Sequence, residues 1–339
     1  MNYKDIINYL ESNPSTWIVT GCAGFIGSNL IEALLKINQN VIGIDNFSTG
    51  NKNNLDEVSS ILNRKQLSNF EFIEGDISDP SICQKICVNA DYVLHQAALG
   101  SVPRSIDNPI ASNQSNVTGH LNMLNAAKDN GVKSFVYAAS SSTYGDHPDL
   151  PKIEHKIGKP LSPYAVTKLV NEMYANIFSL NYEFHSIGLR YFNVFGKRQD
   201  PQGAYAAVIP KWINGMINGE KIYINGDGST SRDFCYIENV IQANILAAVC
   251  SNLKNSEVFN IAVGDRTSLS ELFDLIRKSL LDNGVDYSQS PEYRDFREGD
   301  VKHSQADISK AKKILGFNPK FKINDGISQA VKWYLKGKI

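Results

Sequence analysis

The chain of 339 residues is short of cysteine and methionine and contains no long apolar run. Its five cysteines, Cys22, Cys83, Cys87, Cys235 and Cys250, are odd in number and scattered, without a Cys-x-x-Cys pair. That usage argues against a disulfide framework and predicts a reducing, cytoplasmic setting. The six histidines include no His-Glu-x-x-His and no tight His/Cys cluster, so no metal site is expected. No stretch approaches the ~18 consecutive apolar residues of a membrane span. The opening residues, MNYKDIINYLESNPS, lack the apolar run of a signal peptide. Lys and Arg total 34 against 35 Asp and Glu, a net charge of −1. A balance so close to zero argues against a nucleic-acid or anionic-membrane partner. Any phosphate bound here must be held by local groups.

What the chain does have is the composition of an ordinary globular protein, 42% hydrophobic and 20% charged. Its length corresponds to about two lobes of ~150 residues. Tyr3, Ile6, Ile7 and Leu10 fall on one face of a short helix that Asn13-Pro14 ends, an extension over residues 1–16. Strands are then predicted at 17–20, 40–44, 70–73, 91–94, 133–138 and 184–189. Helices are predicted at 25–36, 110–130 and 163–180. This alternation predicts an α/β fold, a doubly wound parallel sheet over residues 17–190 with segments returning near 235–265. A smaller mixed α/β lobe is expected from 191–234 and 266–339, with helical patterns at 236–250, 268–282 and 323–336.

The first strand runs into Thr20-Gly21-Cys22-Ala23-Gly24-Phe25-Ile26-Gly27. Glycines at this spacing, between a strand and a helix, permit a tight turn and close approach of a pyrophosphate to the helix N-terminus. The sheet is therefore expected to be of Rossmann type. Asp45 ends the next strand, where its carboxylate can accept hydrogen bonds from both hydroxyls of a ribose and repel a 2′-phosphate. That favours NAD over NADP, with Asn46 and Ser48 leaving the choice less sharp. Asp76, after the third strand, is placed to reach the adenine or to end the strand in solvent.

Tyr164 and Lys168 stand at i and i+4 on one helical face. A similar pair, Tyr334 and Lys338, sits in the tail helix, so spacing alone decides little. The first pair, however, follows a strand ending in Ser140-Ser141-Ser142-Thr143-Tyr144-Gly145, and strand ends are where such sheets bind ligands. A neighbouring ammonium and a positive nicotinamide ring would both lower the phenol's pKa, making Tyr164 a base for a sugar hydroxyl as hydride leaves. A serine hydroxyl would hold the same oxygen. Ser101, in the loop with Val102-Pro103-Arg104 after the fourth strand, either lines a sugar pocket or simply opens a loop.

The glycine-rich turn, Asp45, Asp76-Ile77, His95-Gln96-Ala97-Ala98, the Ser…Tyr-Gly strand end, Tyr-x3-Lys and Leu189-Arg190-Tyr191-Phe192-Asn193 occur in this order over nearly the whole chain. In this the chain resembles the extended short-chain dehydrogenase/reductase family. Within that family it is most similar to the bacterial UDP-N-acetylhexosamine 4-epimerases, which also carry an N-terminal extension. The resemblance implies an NAD cofactor and a UDP-sugar substrate. Gly21, Gly24 and Gly27 would line the pyrophosphate, with Phe25 and Ile26 between them. Asp45, Asn46, Ser48, Gly50, Asp76 and Ile77, then Gln96, Ala97, Ala98 and Asn116, would complete the cofactor site. Tyr164 would be the base and Lys168 would bind the nicotinamide ribose. Ser140 takes the catalytic serine position, with Ser142 a second candidate and Ser141 and Ser142 possible substrate contacts.

For the substrate, the resemblance implies that Arg232 and Arg297 bind the diphosphate, Asp300 the ribose and Tyr223-Ile224-Asn225 the uracil. Asn193 would touch the diphosphate or the sugar. Ser304 would leave room for an N-acetyl group where a tyrosine would fill the space. Ser141 and Ser142 replace the acidic pair of the related 4,6-dehydratases, so elimination lacks its acid and base. The expected activity is 4-epimerisation of UDP-GlcNAc and UDP-GalNAc through a transient 4-keto sugar, supplying surface polysaccharide. A UDP-uronic-acid 4-epimerase is the alternative, with Arg104 or Lys211 pairing with a C6 carboxylate. A dehydratase or decarboxylase, or a non-catalytic NAD-binding regulator, stands further behind. The helices near 110–130 and 163–180 are expected to pair in a homodimer.

Overall fold

The computed structural model describes residues 2–203, 205–250, 253–296 and 301–337. Helix α1 (Tyr3–Ser12) opens the chain, its first turn closed by reciprocal bonds between Asn2 and Asp5 at 3.1 Å. Next come β1 (Thr16–Thr20), α2 (Phe25–Lys36), β2 (Asn40–Asp45), α3 (Lys52–Ile61), α4 (Arg64–Leu67), β3 (Phe70–Glu74), α5 (Pro80–Cys87) and β4 (Tyr92–His95). Helices α6 (Val102–Asp107), α7 (Pro109–Asn113) and α8 (Gly119–Asp129) lead to β5 (Ser134–Ser140), then α9 (Pro163–Tyr182) to β6 (Ser186–Tyr191). The rest holds β7 (Val194–Phe195), α10 (Val208–Ile217), β8 (Tyr223–Asn225), β9 (Ser231–Arg232), β10 (Cys235–Tyr236), α11 (Ile237–Ala248) and β11 (Glu257–Ile261). It ends with β12 (Thr267–Ser268), α12 (Leu269–Leu281), β13 (Glu292–Arg294), α13 (Ser309–Leu315) and α14 (Ile323–Lys336).

Seven strands form one sheet in the order β3-β2-β1-β4-β5-β6-β11, every pairing parallel. The order reverses between β1 and β4, which opens a crevice at the carboxyl ends of the strands. The period of two is visible in β1. Trp17 and Val19 join the apolar cluster that holds Leu30 and Leu34 of α2. Ile18 points the other way, into the cluster of Cys83 and Ile86 from α5 with Met123 and Leu124 from α8. Both faces are thus covered, and β5 and β6 are almost wholly buried. Gln39 ties α1 to this body, donating to Leu10 O at 2.8 Å and accepting from the Trp17 indole at 3.1 Å. The remaining short strands pair two by two, β7 with β10, β9 with β12 and β8 with β13, beside α10 and α12. Among the described residues no helix is long and apolar enough to cross a membrane.

Three features depart from the sequence expectation. The predicted helix over 110–130 is interrupted by a π-turn at Gln114–Thr118. There the Asn116 amide bonds Leu99 and Thr167, contacts that a periodicity count does not register. The strand expected at 184–189 begins two residues later, at Ser186. The seventh strand, β11, was not singled out; it is only five residues long and begins with a charged Glu257.

Asn260 of β11 knits this edge of the sheet to the serine-rich strand end. It accepts from the Tyr144 hydroxyl at 2.6 Å and donates to Lys152 O at 2.9 Å and Asp307 O at 3.0 Å. Asn260 is fully buried, so each partner left unpaired carries its own desolvation cost. Asn260→Ala should lower the unfolding free energy by about 3 kcal/mol in urea titrations. A loss below about 0.5 kcal/mol would show that these bonds contribute little.

Candidate active site

The turn after β1 is built by close packing. Gly21 has a φ of +67°, and a Cβ there would lie 2.8 Å from Ala97 N. A Cβ on Gly27 would stand 2.1 Å from Gly21 O. Both positions therefore admit only glycine, and Gly24 caps α2 with its first N–H groups facing the crevice end. Thr20 fixes the opposite wall. Its hydroxyl accepts from Gln96 N at 3.1 Å and Ala97 N at 3.0 Å, so its one proton goes to His95 Nδ1 at 2.9 Å. Gln96 is held in turn by Asn244 and the Tyr191 hydroxyl, each at 3.1 Å.

These walls enclose a cavity of about 310 Å³. It is lined by Gly21, Gly24, Phe25, Ile26 and Gly27, by Asp45, Asn46, Ser48 and Gly50, by Asp76 and Ile77, and by Gln96, Ala97 and Ala98. Ile44, Thr49, Gly75, Gly100 and Ser115 line it too and were not anticipated. Asp45 accepts from Ala23 N at 2.9 Å and Phe47 N at 2.8 Å. Burial raises its carboxyl above the usual range, with the N–H groups of Phe47, Ala23 and Asn46 opposing. Asp76 takes a bond from the Asn46 amide at 2.7 Å, so these two expected cofactor residues order each other. Asn116 is different. It is buried, absent from the cavity wall, and its amide holds Leu99 and Thr167 rather than facing a ligand.

A second cavity of about 640 Å³ is lined by Asn193, Lys211, Tyr223, Asn225 and Arg232 from the expected substrate set. Arg232 donates to Ser231 O at 3.0 Å and Lys302 O at 3.1 Å. Sequence reasoning missed Arg294 and Lys302 on this wall. Arg294 sits 3.3 Å from the centroid of the Tyr223 ring. Its nearness to Arg297 was the available signal. Ser304 bonds through its backbone to Ser231 at 3.1 Å, one residue from Arg232, but is not on the cavity wall. Arg297 and Asp300 lie outside the described residues.

Gly100 lines the first cavity and Val102 the second. Ser101 stands between them with a φ of +90° and starts α6. Three residues on from Val102, the buried Ser105 hydroxyl accepts from Tyr164 N at 3.0 Å, which ties the start of α9 to α6, although Ser101, Ser140, Ser141, Ser142, Tyr164 and Lys168 are not on the wall of either cavity. Ser140 ends β5 and hydrogen-bonds the Tyr164 phenol, and it takes bonds from Ser142 N at 3.1 Å and Ser142 Oγ at 2.9 Å. Ser140 therefore contacts the phenol, while Ser142 supports Ser140 and Ser141 opens the 3-10 turn Ser141–Tyr144.

Lys168 is buried, donates to Ala138 O at 2.7 Å and lies 5.8 Å from the Tyr164 ring centroid. The expected lowering of the phenol's pKa is not found in the protein by itself. Burial outweighs the Ser140 bond and raises Tyr164 above the usual phenol value. Burial brings Lys168 down to about 8, with Glu172 opposing. In the tail helix Tyr334 is buried and its hydroxyl donates to Gln199 O, whereas Lys338 lies outside the described residues.

Residues 17–262 match the family described as the NAD dependent epimerase/dehydratase family. A putative UDP-glucose 4-epimerase of Methanocaldococcus jannaschii is 37% identical over 93% of this chain and 97% of its own length. Among solved structures, a UDP-N-acetylglucosamine 4-epimerase from Methanobrevibacter ruminantium in complex with UDP-N-acetylmuramic acid superposes with a TM-score of 0.86. It is 38% identical, covering 96% of this chain and 99% of its own. A UDP-glucuronic acid 4-epimerase from Bacillus cereus, in complex with UDP-glucuronic acid and NAD, gives a TM-score of 0.82 at 30% identity, covering 95% of this chain and 99% of its own.

The glycine cradle fits a dinucleotide because any side chain at Gly21 or Gly27 would occupy the backbone contact itself. Gly27→Ala should yield protein that purifies without bound NAD, read from nucleotide released on denaturation; normal NAD content would contradict the cradle. The close-packed turn, the aspartate at the end of β2 and the matched span of sequence lead to one conclusion: the chain belongs to the NAD-dependent epimerase/dehydratase family, and NAD is its cofactor.

Proposed function

We propose that the protein interconverts UDP-N-acetylhexosamines, UDP-GlcNAc and UDP-GalNAc, by oxidation and reduction at C4. The observation that carries this reading is the grouping of Tyr164, Ser140 and Lys168 with one another, in a molecule that also holds a glycine-cradled cavity and a second cavity bearing Arg232, Lys211 and Arg294. Bound NAD supplies a hydride acceptor that later returns the hydride. Tyr164 Oη takes the proton of the 4-hydroxyl, and Ser140 Oγ holds the same sugar oxygen and relays its proton. Lys168, charged nearby, favours the phenolate once a cationic ring also faces it. The raised pKa of the isolated phenol suits the return step, in which Tyr164 gives the proton back. With serine at 141 and 142 no carboxylate stands ready for elimination, and the ketone recovers its hydride. Rotation of the sugar between the two transfers inverts C4.

The arginines supply the fixed donor fork that a diphosphate accepts. Arg294 against Tyr223 forms a flat cationic and aromatic wall suited to a pyrimidine. The acetamido preference rests on Ser304, a small residue beside the Ser231-Arg232 strand. A uronate reading is favoured by one observation, Lys211 on the cavity wall; Arg104 is not itself on that wall but stacks at 5.3 Å behind Tyr205, which is.

We further infer a homodimer. Met173, Ile177 and Leu180 of α9 and Ile110 of α7 are 59%, 49%, 67% and 81% exposed, and α7 packs beside α9. Met173, Ile177 and Leu180 recur at helical spacing on one side of α9, an exposed apolar stripe that a second copy would cover.

Incubation with UDP-GlcNAc, UDP-Glc and UDP-GlcA without added NAD should give the C4 epimer of UDP-GlcNAc. No epimer from any of the three would overturn the reading. Tyr164→Phe should lose roughly 10²–10⁴-fold in turnover while UDP-sugar binding persists; retained turnover would contradict the base. Ser304→Tyr should depress turnover of acetamido sugars far more than of UDP-Glc. Equal loss on both would remove Ser304 from the C2 pocket.

A further inference from the structure

Lys168 carries its charge in an unfavourable place. It is 3% exposed, and its ammonium donates to Ala138 O, two residues before Ser140 on the same strand. The groups that act on it or feel it are His95 on β4, His120 on α8 and Tyr164 and Glu172 on α9, while Tyr137 on β5 and Arg190 on β6 adjoin Glu172. His95 is held down to about 3 by burial and by Lys168, and His120 is lowered by burial, His95 and Lys168. Both rings are therefore neutral, and neither nitrogen of His120 meets a hydrogen-bond partner. Tyr137 is pushed up by burial and by Glu172, so it too stays neutral. Among the described residues, Glu172 is the one anion of this group.

Glu172 is unusual in how it is held. It stands one helical turn beyond Lys168, on the same face. Both its oxygens are taken by Arg190, from Nε at 2.9 Å and Nη2 at 2.7 Å. The remaining Arg190 nitrogen, Nη1, donates to Glu154 O at 2.9 Å, and the guanidinium lies 4.8 Å from the Tyr144 ring centroid. Both partners are more than nine-tenths buried. A loose carboxylate one turn from a buried lysine would draw the ammonium onto itself. With both oxygens engaged, Glu172 acts on Lys168 through its field, and the ammonium remains on Ala138 O.

We propose that Glu172, clamped by Arg190, is a positioning residue that keeps Lys168 as an ammonium pointed at the Ser140 end of β5. The kinetic consequence rests on the epimerase reading above; the charge state of Lys168 does not.

The NAD-bound protein carrying ¹³C-labelled lysine is titrated by NMR, the Lys168 signal being identified by its loss in Lys168→Arg. In Glu172→Gln the Lys168 midpoint should move to lower pH by about one pH unit. The alkaline limb of kcat should move the same way, with KM for the UDP-sugar changing less than about twofold. If an unpaired Arg190 prevents folding, the double variant Glu172→Gln/Arg190→Gln removes that unmatched guanidinium, and a Lys168 midpoint moved in the same acid-ward direction is expected. An unchanged Lys168 midpoint in either folded variant overturns the proposal. A wild-type protein that does not epimerise would overturn the functional reading instead, and the NMR midpoint would still decide this one.

Discussion

The bidentate pair between Arg190 and Glu172 is the tie on which the arrangement of the chemistry depends. It joins the last turns of β6 to the middle of α9, and its third donor reaches the 147–154 segment through Glu154 O. Asn260 takes up the connection from there, linking that segment to β11, to Tyr144 and to Asp307. A buried ion pair of this kind is worth little as net stability, because desolvation offsets most of the attraction. Its value lies in geometry. Strand β5 carries Ser140, helix α9 carries Tyr164 and Lys168, and the pair fixes the helix against the sheet so that the three side chains meet.

The surroundings of the second cavity are organised by an analogous buried carboxylate. Asp233 follows Arg232 directly and accepts from Val263 N at 3.0 Å, Gly264 N at 3.0 Å and Ala306 N at 3.2 Å. It thereby holds the segment around Ala306 next to the strand bearing Arg232. Burial raises its carboxyl to about 6, which measures how strongly the surroundings disfavour the charge that these N–H groups support. Near Lys168 and near Arg232 alike, then, a buried acid ties neighbouring segments together.

Much of this was legible in the sequence because its signals are local. The strand–glycine–helix start, Asp45 at the end of β2 and the i, i+4 pair in α9 each follow from short-range geometry, and the structure places the glycines and Asp45 in one cavity wall. What was not legible depends on distant partners. Asn116 looks like a polar residue on a helix; only the π-turn reveals that it serves Leu99 and Thr167. The expectation for the Tyr164 phenol counted the nearby charges and omitted burial, which is set by the whole fold and has the larger effect. Strand β11 is too short and too polar at its start to stand out by pattern, although it closes the sheet. Arg294 gained its place on the wall of the second cavity through pairing of β13 with β8, a contact spanning some seventy residues.

The π-turn at Gln114–Thr118 has an effect beyond Asn116. One additional residue in a helical turn rotates everything after it by about 100° relative to a regular helix. Upstream, Ile110 is turned to the outside; downstream, Met123 and Leu124 are turned into the core. A single rod thus changes allegiance midway, and the place where it does so is bolted to the loop at Leu99, beside Gly100 of the cofactor cavity. The same short stretch that reorients the helix therefore also anchors the rim of the dinucleotide chamber.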